Sequence, residues 1–222
     1  MVEIDEIMRT TFAAREFTGE VLPDALLYEW LEHARFAPSG GNRQGNRVIV
    51  VRDELMRHQL ATLSEASTPR YLAQIQLGES PWNSIYPSKV SEADMAKIAP
   101  RADRLRAFRS ASVVLIFLVD LRVVASIDQD LDRVGVISGA SIYPFVWNVL
   151  LQARQSGFGG TLTTGIAAQE LQVQRLLNIP SYCAVACAVP MGKPVKQLRK
   201  LRRLAVEDIA VCERFDGEPF AP

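Results

Sequence analysis

A short polar turn at positions 37–44, Ala-Pro-Ser-Gly-Gly-Asn-Arg-Gln, carries residues suited to binding chemistry. The proline cannot continue a helix, the serine hydroxyl can satisfy nearby backbone groups, and the glycine pair permits backbone angles that other residues avoid. Asn42 and Gln44 add amide donors and acceptors. The turn therefore predicts either a place where a polar ligand lies against backbone amides or a helix-to-strand connection that is only polar.

Two further stretches stand out by composition. Gly159 and Gly160, in a glycine-rich turn at 157–164, leave the main chain free of side chains at this point. A tight turn without a ligand explains the same glycines. Five basic residues fall between positions 196 and 203, where a solvated surface is the usual interpretation.

These stretches together resemble one protein family. The turn at 37–44 is similar to the A-P-S-x-x-N-x-Q turn of the nitroreductase family of flavin mononucleotide (FMN) enzymes. Arg15-Glu16-Phe17 is similar to the end of that family's R-R-S-x-R-x-F segment, and residues 157–164 resemble its L-G-L-G turn. The resemblance covers nearly the whole chain. It implies FMN as the cofactor and NADH or NADPH as a co-substrate.

The resemblance also implies which residues contact FMN. It places Arg15 near the ribityl-phosphate arm and Arg203 near the phosphate, and a backbone N–H of the glycine turn faces the flavin N5 atom. The whole implied set is Arg15, Ser39, Gly40, Asn42, Gln44, Arg104, Gly159, Gly160, Thr161 and Arg203. No side chain is expected to act as a catalytic nucleophile, because the flavin carries the hydride. No metal is expected.

The chain departs from the family pattern at the phosphate. Thr11, Phe12 and Ala13 stand where the family has Arg, Arg and Ser, and Ala205 stands where it often has Pro. Phosphate binding must then depend more on the C-terminal end, where Lys200 and Arg202 are neighbours of Arg203. Arg104 belongs to a group of four arginines between 101 and 109 that is more typical of a wet surface.

The implied activity consists of two half-reactions in one pocket. NAD(P)H passes hydride to flavin N5, and a nitroaromatic, a quinone or a similar electron-poor acceptor then takes its place, so ping-pong kinetics are expected. Two alternatives stay open: a flavin-binding or sequestering protein without this turnover, and a relative that performs reductive dehalogenation or enoate reduction.

Composition limits the other function classes. The chain has 222 residues, 48% of them hydrophobic, and 25 basic residues balance 25 acidic ones. This neutrality argues against a general role in binding nucleic acid or membrane surfaces. With no apolar run long enough to span a bilayer and no early signal-like stretch, we expect a soluble cytoplasmic protein. No G-x-G-x-x-G follows a strand, so no Rossmann site is suggested.

The three cysteines do not form a recognisable framework. Cys183, Cys187 and Cys212 are an odd number without C-x-x-C spacing, and only two histidines accompany them, so we expect neither a disulfide framework nor a zinc site. Cys183 and Cys187 are four residues apart in a predicted strand, which predicts that both lie on the same face as small core residues.

Hydrophobic periodicity predicts alternating helices and strands. Helices are expected at 3–14, 24–37, 53–66, 135–154 and 167–177, and strands at 46–52, 113–119 and 182–189. Ser91 and Asp94 resemble a capping box, Pro144 must kink its helix or lie near its start, and 120–134 is a short helix or a loop. Residues 67–91 are either a linker or, preferably, a covering segment over the substrate pocket.

The residues alone indicate an α/β sandwich. The resemblance sharpens this to the α+β nitroreductase fold, a three-layer sandwich with a central mixed, mainly antiparallel sheet flanked by helices. It implies a single domain at 1–222 that forms an intertwined homodimer with two FMN sites at the interface. It also implies that residues 204–222 are an extension embracing the second subunit.

Overall fold

The computed structural model describes residues 3–99 and 102–222, without the side chains of 102–104. The helices are α1 (Ile4–Thr10), α2 (Asp24–Ala34), α3 (Glu54–Glu65), α4 (Thr68–Gln76), α5 (Glu92–Ala96), α6 (Ala102–Ser110), α7 (Tyr143–Gln155) and α8 (Glu170–Leu177). The strands are β1 (Asn46–Val51), β2 (Val113–Asp120), β3 (Gly159–Gly160) and β4 (Cys183–Gly192). No helix in these residues is long and apolar enough to cross a bilayer.

The four strands form one sheet in the order β1-β2-β4-β3, and every neighbouring pair is antiparallel. Every residue of β2 is buried, as its continuous apolar sequence predicts for a strand covered on both faces. Val113, Leu115 and Phe117 join a core with α2 and α7. Val114, Ile116 and Leu118 join a second core with α3, α6 and α8. The predicted three-layer α+β sandwich is confirmed.

The two cysteines of β4 do not share a face, so that prediction was wrong. Cys183 lies in the core with α3 and α8, whereas Cys187 lies in the core with α2 and α7. The reason is a bulge: Phe117 pairs with Cys187 and Leu118 with Val185, which leaves Ala186 as an extra residue. One inserted residue reverses the facing of every side chain beyond it. Burial raises the pKa of Cys187 to about 12.

The first helix is shorter than predicted. It ends at Thr10 instead of continuing to residue 14, and Thr11 already has extended backbone angles. The following residues leave the helix because they pair with the sheet: the Ala14 N–H donates to the Gly160 carbonyl at 3.0 Å, and Ala13 forms a parallel bridge with Gly160. This bridge is the parallel element of an otherwise antiparallel sheet.

The other element predictions hold with adjusted ends. The second helix stops at Ala34 before the polar turn, and residues 120–134 contain bends without a helix. Pro144 lies in the first turn of α7, where its missing N–H costs nothing. Ser91 and Asp94 form the predicted reciprocal capping box at the start of α5.

Candidate functional site

A cavity with a volume of about 500 Å³ lies beside the sheet. It opens between residues 161–165 on one side and the junction of α3 with α4 on another. Leu105, Ala107 and Phe108 of α6 provide an apolar wall, and Arg15 contributes a cation. Its volume is within the range of ligand pockets, roughly 300–1,000 Å³, and its lining of mixed polar and apolar groups suits an amphipathic ring system.

The wall at 161–165 starts as an extended segment beyond β3, hydrogen-bonded along one side to β4, and ends where a 3₁₀ helix begins at Gly165. The Thr161 N–H donates to the Pro190 carbonyl at 3.3 Å, and the Thr163 N–H donates to the Ala188 carbonyl at 2.9 Å. In an extended chain, alternate N–H groups point to opposite sides, so those of Leu162 and Thr164 point away from β4. Across residues 3–99 and 102–222, no protein atom accepts from either of them.

A glycine allows this wall to close against the α3–α4 junction. A Cβ built on Gly165 would lie 2.7 Å from Ser67 Oγ and 3.3 Å from the Ser64 carbonyl oxygen. Any larger residue would push the wall away from the junction. Ser64, Ser67 and neighbouring Thr68 give this corner of the cavity a row of hydroxyl groups, which can donate or accept hydrogen bonds as a ligand requires.

Arg15 lines the cavity as the resemblance implies. Its guanidinium makes a long contact, Nη1 to the Ala13 carbonyl at 3.4 Å, and Glu65 is the acidic residue on the same cavity. The neighbouring residue Glu16 is ion-paired with Arg106 of α6. The Arg15 guanidinium is therefore available to an anionic or carbonyl-bearing ligand, while Arg106 has a partner of its own.

Gly159 and Gly160 lie beside the cavity and do not line it; Thr161 does. Both glycines are fully buried in β3, paired with Gly192 and Met191 of β4. They border a hollow of about 10 Å³ with Thr11 and Arg154, which holds one water at most. The structure thus explains these glycines by strand packing, and the free N–H groups lie further along the wall.

The polar turn folds as a short 3₁₀ segment with unusual backbone angles. Gly41, Asn42 and Gln44 all have positive φ, at 60°, 54° and 50°. The Ser39 hydroxyl accepts from the Gln44 N–H at 3.0 Å, and Ser141 Oγ accepts from the Gly40 N–H at 3.0 Å. Two non-glycine residues in this region mark a conformation held by its surroundings, as functional turns often are.

This turn and the cavity wall lie on opposite edges of the sheet. The turn leads into the edge strand β1, and the Asp120 N–H donates to the Gly45 carbonyl at 2.9 Å. The wall follows the far side of β4, where Thr163 bridges Ala188, the partner of Ile116 in β2. Because β2 and β4 lie between them, β1 and the wall are about 14 Å apart across the sheet, three strand spacings. Within one chain the structure does not bring Ser39, Gly40, Asn42 and Gln44 to the cavity.

Arg203 does not line the cavity; it is exposed, and its Nη1 donates to the Arg202 carbonyl at 2.8 Å. The backbone of Arg104 belongs to α6, but its side chain lies outside what the structure describes. The residues that sequence reasoning missed are Leu162 and Thr164, whose free N–H groups depend on pairing with β4 that no local motif reveals.

The family comparison agrees with this fold. The model described as the nitroreductase family matches residues 8–193, so the chain belongs to the nitroreductase family. A curated relative, the NADH dehydrogenase of Thermus thermophilus, is 26% identical over 202 residues, covering 89% of each chain. Membership of this family makes the protein an oxidoreductase.

Two solved structures illustrate the same fold. Iodotyrosine deiodinase bound to FMN and 3-iodo-L-tyrosine aligns with a TM-score of 0.69 at 21% identity, covering 96% of this chain and all of that one. The NADPH:FMN oxidoreductase of Vibrio harveyi complexed with NAD+ aligns with a TM-score of 0.68 at 19% identity, covering 96% and 77%. At these identities the likeness concerns the fold.

Proposed function

We propose that this protein is an FMN-dependent oxidoreductase that transfers hydride from NADH or NADPH, through flavin N5, to a nitroaromatic, quinone or similar electron-poor acceptor. The proposal depends mainly on one observation: a cavity of about 500 Å³ in a nitroreductase-family chain is bordered by Arg15 and by two unpaired backbone N–H groups. Ping-pong kinetics follow if donor and acceptor use this cavity in turn.

The residues around the cavity fit the ring of FMN. The N–H groups of Leu162 and Thr164 would donate to ring heteroatoms, and a donor at N5 orients the ring for hydride transfer. The Arg15 guanidinium would hold negative charge on the ring or ribityl edge through charge-assisted hydrogen bonds. The apolar wall of α6 limits water at the reacting face. No side chain of the cavity is assigned a nucleophilic role.

A second copy of the chain would complete the site. Because residues 39–44 and the cavity wall lie on opposite edges of one sheet, with β2 and β4 between them, we propose that both border the same FMN across a subunit interface. Two features support a homodimer: α7 exposes Tyr143 and Trp147 one turn apart, and the segment 204–222 exposes Ile209 and Phe215 without a core of its own. Such apolar surfaces usually mark interfaces.

The proposed dimer also accounts for binding of the FMN phosphate. Thr11 is buried, and its hydroxyl donates to the Ile7 carbonyl at 2.7 Å, so it does not replace the missing arginine. Arg203, Lys200 and Arg202 are exposed on the C-terminal extension. We propose that this extension brings Arg203 to the phosphate, with its two basic neighbours contributing charge.

Purified protein tests the proposal directly. It should be yellow, and NADH or NADPH should bleach it without oxygen. Arg15→Ala and Arg203→Ala should weaken FMN binding by about 10- to 100-fold, the loss of one or two charged hydrogen bonds. The melting temperature of the apo form should change little, because both side chains are outside the cores. Arg109→Ala, which removes an exposed arginine of α6 away from the cavity, is the control.

Each contrary result would identify an alternative. Yellow protein that neither nucleotide reduces would favour a flavin-binding or sequestering protein, and colourless protein that rejects added FMN would refute a flavin function. Unchanged FMN affinity in Arg203→Ala would remove that residue from the site. Reductive dehalogenation stays the alternative chemistry, since an iodotyrosine deiodinase has this fold; halide release from an iodinated phenol would reveal it.

A further inference from the structure

The cavity has one aromatic wall residue in a strained backbone conformation. Trp82 lines the cavity with 49% of its surface exposed, and its φ of 58° lies in the left-handed region. A bulky side chain rarely adopts this conformation, which persists only where the surroundings enforce it. Contacts around Trp82 must therefore stabilise this backbone conformation.

These contacts come from a polar network centred on buried Gln74. The Trp82 N–H donates to Gln74 Oε1 at 3.2 Å, and Gln74 is only 1% exposed although its side chain is polar. Gln74 Nε2 in turn donates to Glu79 Oε2 at 3.2 Å. Glu79 also accepts from the Lys89 N–H at 2.6 Å and from Ser88 Oγ at 2.7 Å.

The network connects the two ends of residues 74–89 through one carboxylate. The hydrogen bond from the Lys89 N–H, followed by those from Ser88 and Gln74, holds the pKa of Glu79 below its usual value. Glu79 is therefore ionised at neutral pH and keeps its three donors in place. Trp82 therefore lies on a closed loop that is held by hydrogen bonds to Glu79, as a segment covering the cavity at 67–91 requires.

A cation fixes the orientation of the indole. The Arg70 guanidinium lies 4.6 Å from the centroid of the Trp82 ring. Trp82 lines the cavity and Arg70 does not. The part of the indole that Arg70 leaves uncovered therefore faces the cavity. Cation–π contact on one side restrains the ring without blocking the other.

We propose that Trp82 is the specificity-determining residue for the acceptor, and that it selects planar aromatic acceptors by stacking. The inference rests on the proposed function, since it concerns the acceptor of that same cavity. An electron-rich indole stacks favourably on an electron-poor ring, and such stacking needs planarity more than any particular hydrogen bond. Gln74 is a positioning residue, because it acts only through the backbone of Trp82.

A matched pair of unreactive ligands tests the proposal without turnover. Benzamide and cyclohexanecarboxamide have the same amide and similar size, but only benzamide is planar and aromatic. Titration of each into the oxidised, FMN-loaded protein, followed by the flavin difference spectrum, gives two dissociation constants. We expect wild type to prefer benzamide, and Trp82→Leu to reduce that preference by roughly 5- to 100-fold, the range expected for loss of one stacked ring.

Controls distinguish stacking from loss of structure. Trp82→Phe keeps a ring and should retain most of the preference. Tyr86→Leu removes an aromatic that is 76% exposed in the same segment and lies off the cavity, and it should change nothing. Gln74→Met should weaken the preference while leaving the ring itself intact. In turnover, Trp82→Leu should raise the KM for p-nitrobenzamide and leave that for ferricyanide unchanged.

Three results would overturn the proposal. The first is an unchanged preference in Trp82→Leu, and the second is an equal loss in Tyr86→Leu. The third is loss of flavin from both Trp82 variants, because the proposal assigns this residue to the acceptor and not to FMN retention. Colourless wild-type protein would instead refute the FMN proposal, so the two failures are distinguishable.

Discussion

Replacing Gly160 by alanine tests why the chain has glycine at this position. A Cβ there would lie 2.9 Å from the Pro190 carbonyl oxygen, 3.0 Å from Val189 Cγ1 and 3.1 Å from Met191 Cγ. The nearest atom is backbone of a central strand, so it cannot move aside cheaply. Overpacking of this kind costs about 1–3 kcal/mol. In a domain of this size each kcal/mol lowers Tm by about 2–4 °C, so we expect a decrease of roughly 2–12 °C.

Urea unfolding followed by circular dichroism, at one fixed protein concentration, measures the effect. Gly135→Ala is the control: its Cβ would lie 3.6 Å from Asp128 Oδ1, an ordinary contact, and its φ is not positive. That variant should be neutral or stabilised by about 0.4–1 kcal/mol, because alanine restricts the unfolded chain. A Gly160→Ala protein within about 0.5 kcal/mol of wild type would refute strand packing as the reason for this glycine.

Two further predictions concern titratable groups. Hydrogen bonds from Arg122 lower the pKa of buried Asp120 from 3.8 to about 2; its stabilisation is therefore complete above pH 3.8 and is lost as pH falls through 2. Asp120→Asn should flatten the acid decline of the urea midpoint over this window, and an unchanged decline would contradict the assignment. Burial raises the pKa of Cys187 and Cys183, so native protein should expose one fast-reacting thiol, Cys212, and unfolded protein three.

Hydrophobic patterns made most helices and strands of the three layers predictable from the sequence. The strand Val113–Asp120 could be assigned from its own composition, because it is apolar up to Val119 and buried throughout. The helix Tyr143–Gln155 could be assigned in the same way, because it buries Phe145, Val146, Val149, Leu150 and Ala153. The bulge at Ala186 was not predictable, since it depends on pairing with β2 and has no local sequence pattern. The early end of α1 has the same origin: residues 13–18 pair with Gly160 of β3 and with residues 193–195, which follow β4.

Only part of the candidate site could be predicted from the sequence, because the rest depends on how the strands pair. Arg15 and Thr161, two of the residues implied by the resemblance, both line the cavity, and their contact with FMN stays a prediction. Gly159 and Gly160 were predicted as flavin contacts because glycine lets the main chain approach a ring closely. In the structure both glycines are paired with β4. A free N–H depends on which side of the strand is already bonded, which a sequence does not state.

The separation of the two predicted turns is therefore informative. If both border one FMN across the proposed subunit interface, dissociation to monomers would remove the polar turn from the site and leave Arg15 and the wall at 161–165 in place. Tight FMN binding by a monomer would therefore refute the shared site. FMN affinity measured against oligomeric state tests it, because β2 and β4 separate the two turns within one sheet.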